Sequence, residues 1–184
     1  YIEFASGSFE VDEKMGNNPD EIARIKDNLI SLMQNEKFDL DSIVVTSSAS
    51  PEGTVRFNER LSQKRSEGIS EHFSRWMNHY QDSLERERGF AVDEEGNIII
   101  HKRAQIPMLG RSSGENWRML DHLVEKDTLM TEDEKKRYIS SADIKDIDQR
   151  EKSLQSLGCY RHMREKLYPR LRTVRFDFHL HRKG

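Results

Sequence analysis

The chain has few of the features that most directly name a chemistry. A single cysteine, Cys159, stands among 184 residues. That excludes an intrachain disulfide and any metal site built from several cysteines. No run approaches the roughly 18 apolar residues of a membrane-spanning helix. Neither sign of charge dominates: 30 basic residues face 33 acidic ones, a formal charge of -3. A nucleic-acid partner, which needs a net basic face to neutralise phosphates, is therefore not expected. There is no Gly-rich phosphate loop, no nucleophile elbow and no His-Glu metalloprotease motif, so neither a cofactor nor an enzymatic activity is expected. Internal repeats and low-complexity tracts are absent too. What remains is a hydrophobic share of 34%, enough for one modest core and a single domain spanning 1–184. The chain opens at Tyr1 without Met, as if inside a strand. It reads as an excerpt of a longer protein from which a targeting segment has been removed.

The elements follow from periodicity. Residues 1–11 carry Ile2, Phe4, Phe9 and Val11 around Gly7 and predict a strand bent at Ser6-Gly7-Ser8. Asn18-Pro19-Asp20-Glu21 predicts a helix start, with Asn18 as cap and Pro19 in the first turn. Ile22, Ile25, Leu29, Leu32 and Met33 then form one apolar stripe. Ile43-Val44-Val45 is apolar throughout and predicts a central strand. A loop follows at 47–53, and a second helix begins near Thr54. Its expected inner face is Phe57, Leu61, Ile69, Phe73, Trp76 and Tyr80. Ile98-Ile99-Ile100 predicts a third strand after the turn Asp93-Glu94-Glu95-Gly96-Asn97.

Residues 111–170 switch to helical spacing and predict a helical insert packed on the domain. Capping boxes are expected at Ser112–Glu115 and Thr131–Glu134. Val174, Phe176, Phe178 and Leu180 alternate with polar residues and predict a last strand with one buried face. The sum is an α+β fold: a two-layer βαβαββ sandwich with a mixed sheet, helices on one face and the insert before the last strand.

The most informative stretch is Ala49-Ser50-Pro51-Glu52-Gly53-Thr54 followed by Asn58, Leu61-Ser62 and Arg65. It is a strand end, a tight loop and the first half of a helix. Such junctions collect backbone N–H groups and suit an anion or carboxylate, and Arg65 can add a bidentate grip. Arg65 can equally pair with Glu52 or Glu59. Asn58 suits a clamp between loop and helix. Trp76 and Trp117 are expected in packing and Cys159 in the core. His179 and His181 share one face of the last strand without a third metal ligand, and are expected to face solvent.

Gly53, Asn58, Leu61-Ser62 and Arg65 fall in step with the motif of the OmpA-like family of peptidoglycan-associated periplasmic domains. Phe4-Ala5-Ser6-Gly7-Ser8 is similar to that family's opening strand. The resemblance covers about residues 1–106 and the last strand, and it implies the two-layer OmpA-like sandwich. The Ala-Ser-Pro-Glu-Gly loop resembles a Bacteroides-type variant. So does the insert, with Gly114-Glu115-Asn116-Trp117, Asp148-Gln149-Arg150-Glu151 and Tyr168-Pro169-Arg170-Leu171-Arg172.

In the family, a loop Asp and a helix Arg hold the two ends of the diaminopimelate group of the cell-wall peptide. The Arg carries over to Arg65. The Asp position is Ser50, so the carboxylate partner of the ammonium is missing, and Glu52 stands two residues on as a substitute. The resemblance therefore implies a peptidoglycan site at Arg65, Ser50, Glu52 and Asn58. Restoring an acid at Ser50 is expected to strengthen it. The implied setting is the periplasm, where the domain would tether an outer-membrane or other envelope protein to the cell wall. The alternative is a domain that kept the fold, lost peptidoglycan binding and serves as a scaffold in surface assembly, with fimbrial assembly as one case.

Overall fold

Ile43-Val44-Val45 forms the middle of the central strand β1 (Phe38–Ala49), as its apolar run predicts. The computed structural model describes residues 2–5, 7–89, 91–99 and 105–184. Helix α1 (Asn18–Met33) precedes β1, and α2 (Val55–Arg88) follows it. Then come β2 (Met108–Glu115), α3 (Trp117–Lys126), α4 (Glu132–Ser141) and α5 (Ile147–Gln155). The short helix α6 (Tyr160–His162) runs on through a π-helical turn and a 3-10 turn to Leu171, ahead of β3 (Val174–Arg182).

The three strands make one mixed sheet in the order β2-β1-β3. β2 lies parallel to β1, with Ile43 opposite Met108, and β3 lies antiparallel, with Val45 opposite Phe176. A parallel neighbour needs a crossover, and α2 supplies it. Ile22, Ile25 and Leu29 of α1, Ile43 and Val45 of β1, and Ile69 and Phe73 of α2 form one buried cluster, against which Phe176 and Phe178 of β3 pack. The coarse reading, an α+β fold with helices packed on a mixed sheet, is what the chain adopts.

Several expectations are corrected. Residues 2–11 form no strand among the described residues, so the first β of βαβαββ is missing. The reason lies in Asn18. Its side chain accepts from the Glu3 N–H at 2.7 Å and donates to the carbonyls of Glu3 and Asp12 at 2.9 and 2.8 Å. Glu3's backbone is thus satisfied by a side chain instead of a ladder. Asn18 is fully buried as this clasp, and Asn17 holds the cap position. Ile2 is nonetheless buried, and Phe4 and Val11 pack on the sheet-side core.

The third strand is displaced as well. Among the described residues Ile98 makes only an isolated bridge to Val92, and it is exposed; Ile100 lies outside the described residues. The strand is β2, which takes up Ser112–Glu115 in place of a capping box; Asn116 caps α3 by accepting from the Met119 N–H. β2 is weakly apolar because α2 approaches it through small side chains. Ser62, Ser66 and Ser70 of α2 are buried, and Ser62 Oγ meets Ser112 Oγ. A Cβ on Gly110 would stand 2.6 Å from the Glu67 nitrogen, so only glycine fits beneath α2. The inner face of α2 is therefore Asn58, these serines, Ile69, Phe73 and Met77, whereas Phe57 is 55% exposed.

The helical segment after β2 carries its own apolar cluster. It includes Leu120, Leu123, Leu154, Met163, Tyr168 and Leu171, with Cys159 buried and Trp117 packed alongside. The box at Thr131 and Glu134 forms as expected, with both reciprocal hydrogen bonds present.

Candidate functional site

Strand β1 ends in Thr46-Ser47-Ser48-Ala49 and runs on into Ser50, a stretch of small residues that lets other chain segments approach closely. Ser48 Oγ donates to the Leu171 carbonyl at 2.6 Å and accepts from the Thr173 N–H at 2.9 Å. This joins the end of the helical segment to the end of the central strand. Beyond Ser50 the chain turns through Gly53, whose φ of +80° lies in the left-handed region that favours glycine. Thr54 Oγ1 accepts from the Phe57 N–H at 3.2 Å and starts α2.

The structure brings the four residues singled out in the sequence to one place. Ser50, Glu52, Asn58 and Arg65 all line a half-open cavity of about 580 Å³, with Phe4 and Arg172 beside them. Their partners differ from those expected. Arg65 reaches from α2 under the N-terminal loop, where its Nε donates to the Ser8 carbonyl at 3.0 Å. Its guanidinium lies 4.9 Å from the centre of the Phe4 ring, a cation–π contact. Among the described residues no carboxylate pairs with it, so neither Glu52 nor Glu59 is its partner. Burial, and secondly the nearby Arg172 charge, bring its pKa down to about 10.

Glu52 and Ser50 are held by Arg172 instead. Arg172 Nε donates to Ser50 Oγ at 3.1 Å and Nη2 to Glu52 Oε1 at 3.3 Å. Where the family resemblance places an acid, this chain thus has a hydroxyl with a guanidinium on it. Asn58 is a clamp, but it ties the helix to β2 and not to the loop as its sequence position suggests. It is buried, and its Nδ2 donates to Glu115 Oε2 at 2.7 Å, which ties α2 to the end of β2. Trp117 Nε1 donates to the other Glu115 oxygen at 3.1 Å. Burial raises the Glu115 pKa against these two hydrogen bonds.

A second cavity of about 310 Å³ shares Phe4, Arg65, Pro169 and Arg172 with the first. It is lined by Ile2, Met15 and Val174 and by Ser47, which is 2% exposed. The Ser47 hydroxyl has no hydrogen-bond partner among the described residues. Arg65 and Arg172 therefore stand where two cavities meet.

Sequence reasoning missed Arg172, Ser47 and Pro169 as members of this site. The Tyr168-Pro169-Arg170-Leu171-Arg172 segment was legible as a feature of the insert. Its position is set by the Ser48 contacts, and no local spacing encodes a pairing across more than a hundred residues. The acidic residues of the insert were missed likewise. Asp148 Oδ1 accepts from the Val55 N–H at 2.9 Å, satisfying a donor at the start of α2. Glu151 is buried and accepts from the Tyr160 and Tyr168 hydroxyls at 2.6 and 2.7 Å. Burial raises its pKa; Glu115 and Glu52 add to the rise, while the two tyrosines oppose it. Arg150 lies 4.1 Å from the Trp117 ring centre and donates to Ser141 Oγ at 3.2 Å.

His181 is exposed and bonded through Nδ1 to Asp41 Oδ1 at 2.6 Å. Among the described residues no group of three His, Cys, Asp or Glu side chains could hold a metal ion. No helix among them is long and apolar enough to cross a membrane. No family model matches the chain, and no curated protein or solved structure matches it at a significant level.

Proposed function

We propose that this domain is a non-catalytic binding module of the OmpA-like kind, and that its cavity takes a carboxylate from the peptide stems of peptidoglycan. In that reading it lies in the periplasm as part of an outer-membrane or other envelope protein and tethers that protein to the cell wall. The observation that carries the reading is Arg65. A half-buried guanidinium with no carboxylate partner among the described residues lines a half-open cavity at a strand-to-helix junction. Desolvating a cation is costly unless an anion compensates it, and a ligand carboxylate would do so with two parallel N–H donors. The motif residues Gly53, Asn58, Leu61-Ser62 and Arg65 supply the identity of the ligand by resemblance.

A second reading is favoured by Arg172, whose contacts already engage Ser50 and Glu52. In it the site has lost peptidoglycan, and the domain serves as a scaffold in surface, including fimbrial, assembly. Co-sedimentation with purified sacculi separates the two. The binding reading expects the wild-type domain to pellet and Arg65→Gln to stay in solution. A wild-type domain that stays in solution favours the scaffold.

A further inference from the structure

Arg65 and Arg172 come from distant parts of the chain, α2 and the segment before β3, and their charges are close enough to act on one another. Like charges held together repel, and burial strengthens the repulsion. Glu52 offsets part of the Arg172 charge through the 3.3 Å contact. Glu165, which also lines the cavity, is engaged by Arg161 at 2.9 Å. Glu3, which lines the smaller cavity, accepts from the Asn17 N–H at 2.9 Å. With Arg164 on the wall of the larger cavity, three guanidiniums stand against Glu52 and Glu3, and the balance at the junction is positive.

Donors remain for a ligand. A guanidinium carries five N–H groups, and the contacts of Arg65 and Arg172 use Nε and one end nitrogen of each. The other end nitrogen of each fork has no hydrogen bond to the described residues. Ser47 adds a hydroxyl without a partner on the smaller cavity, whose walls include the apolar Ile2, Met15 and Val174.

We infer that Arg65 and Arg172 form a two-guanidinium clamp for ligands carrying two carboxylates on an aliphatic spacer, in preference to ligands pairing one carboxylate with an ammonium. Arg172 on Ser50 repels the ammonium that an acid at this position would attract. The clamp rests on the peptidoglycan reading only for the natural ligand; its chemistry stands on the two arginines and the two cavities. Within that reading it selects stem peptides by their carboxylates and gains nothing from the free amine.

Isothermal titration of the whole domain tests this. The probes are a stem peptide with both diaminopimelate-side carboxylates free, the same peptide amidated at one of them, the free-acid peptide acetylated on its side-chain amine, and pimelate against heptanoate. Wild type is expected to bind the free acid about tenfold or more tighter than the amide, since a charge-assisted hydrogen bond is lost. Acetylation should leave affinity unchanged or raise it. Arg172→Gln should remove the difference between acid and amide. Glu52→Gln, which leaves Arg172 in place and removes its competing carboxylate, should tighten binding of the free acid. Equal affinity for acid and amide, discrimination that survives Arg172→Gln, or binding lost on acetylation would each overturn the clamp while leaving peptidoglycan binding in place. If no peptide binds but pimelate is preferred over heptanoate through Arg172, the clamp stands and the peptidoglycan reading fails. If neither the peptides nor pimelate binds, both fail.

Discussion

Arg172 donates to Ser50 Oγ at 3.1 Å across 122 positions of sequence. This contact reverses what the loop alone suggests. Read without its partner, Ser50 is a lost acid whose restoration would regain an ammonium site. Beside Arg172, a new carboxylate would pair with that guanidinium and withdraw it from a ligand. Ser50→Asp is therefore expected to weaken binding of a stem peptide with free carboxylates by about tenfold, the scale of one charge-assisted contact. Calorimetric titration checks it, and tighter binding would favour the ammonium mode.

The close packing of α2 on β2 gives a stability prediction. A Cβ at Gly110 would stand 2.6 Å from the Glu67 nitrogen and 2.7 Å from the Ser66 carbonyl carbon. Both are backbone atoms, so no rotamer change relieves the clash. Gly110→Ala should lower unfolding free energy by about 1–3 kcal/mol, the range for overpacking, as read from urea denaturation. An unchanged midpoint would mean that α2 does not pack on β2 as described.

Glu151 gives a pH prediction. Its folded pKa is raised above the ordinary 4.5, chiefly by burial. In the window just above 4.5 the folded state then holds more protons than the unfolded one, so ionisation opposes folding as pH rises through it. Glu151→Gln removes that ionisation. The variant's stability relative to wild type should therefore be higher at pH 7 than at pH 5. Thermal melts of both proteins at the two pH values check this, and a difference constant with pH would contradict it.

The legible parts of this molecule are those where the pattern is local. The stripe Ile22, Ile25, Leu29, the apolar Ile43-Val44-Val45, the alternation through β3 and the Thr131–Glu134 box each carry their period within one element, and each forms. The parts that were not legible depend on distant partners. Residues 2–11 have strand-like composition, but the Asn18 side chain takes up the backbone of Glu3. Met108–Glu115 holds two glycines and two serines and little that reads as a strand, but its neighbour α2 presents serines, so bulk was not needed. At the site, Ser50, Glu52, Asn58 and Arg65 were found from one loop and the helix after it, and they do share a cavity. Their hydrogen-bond partners, Arg172 and Glu115, come from segments whose approach only the folded chain reveals.

The central claim is that the cavity at Ser50, Glu52, Asn58, Arg65 and Arg172 is the ligand site. The most direct measurement is a heteronuclear NMR titration of the domain with a free-carboxylate stem peptide, observing the backbone amides and the arginine Nε–H signals together. The account predicts saturable shifts in the Nε–H signals of Arg65 and Arg172 and in the amides of the 50–54 loop, with the amides of α4 unmoved. Saturable shifts confined to other surfaces, with both arginine signals still, would contradict it.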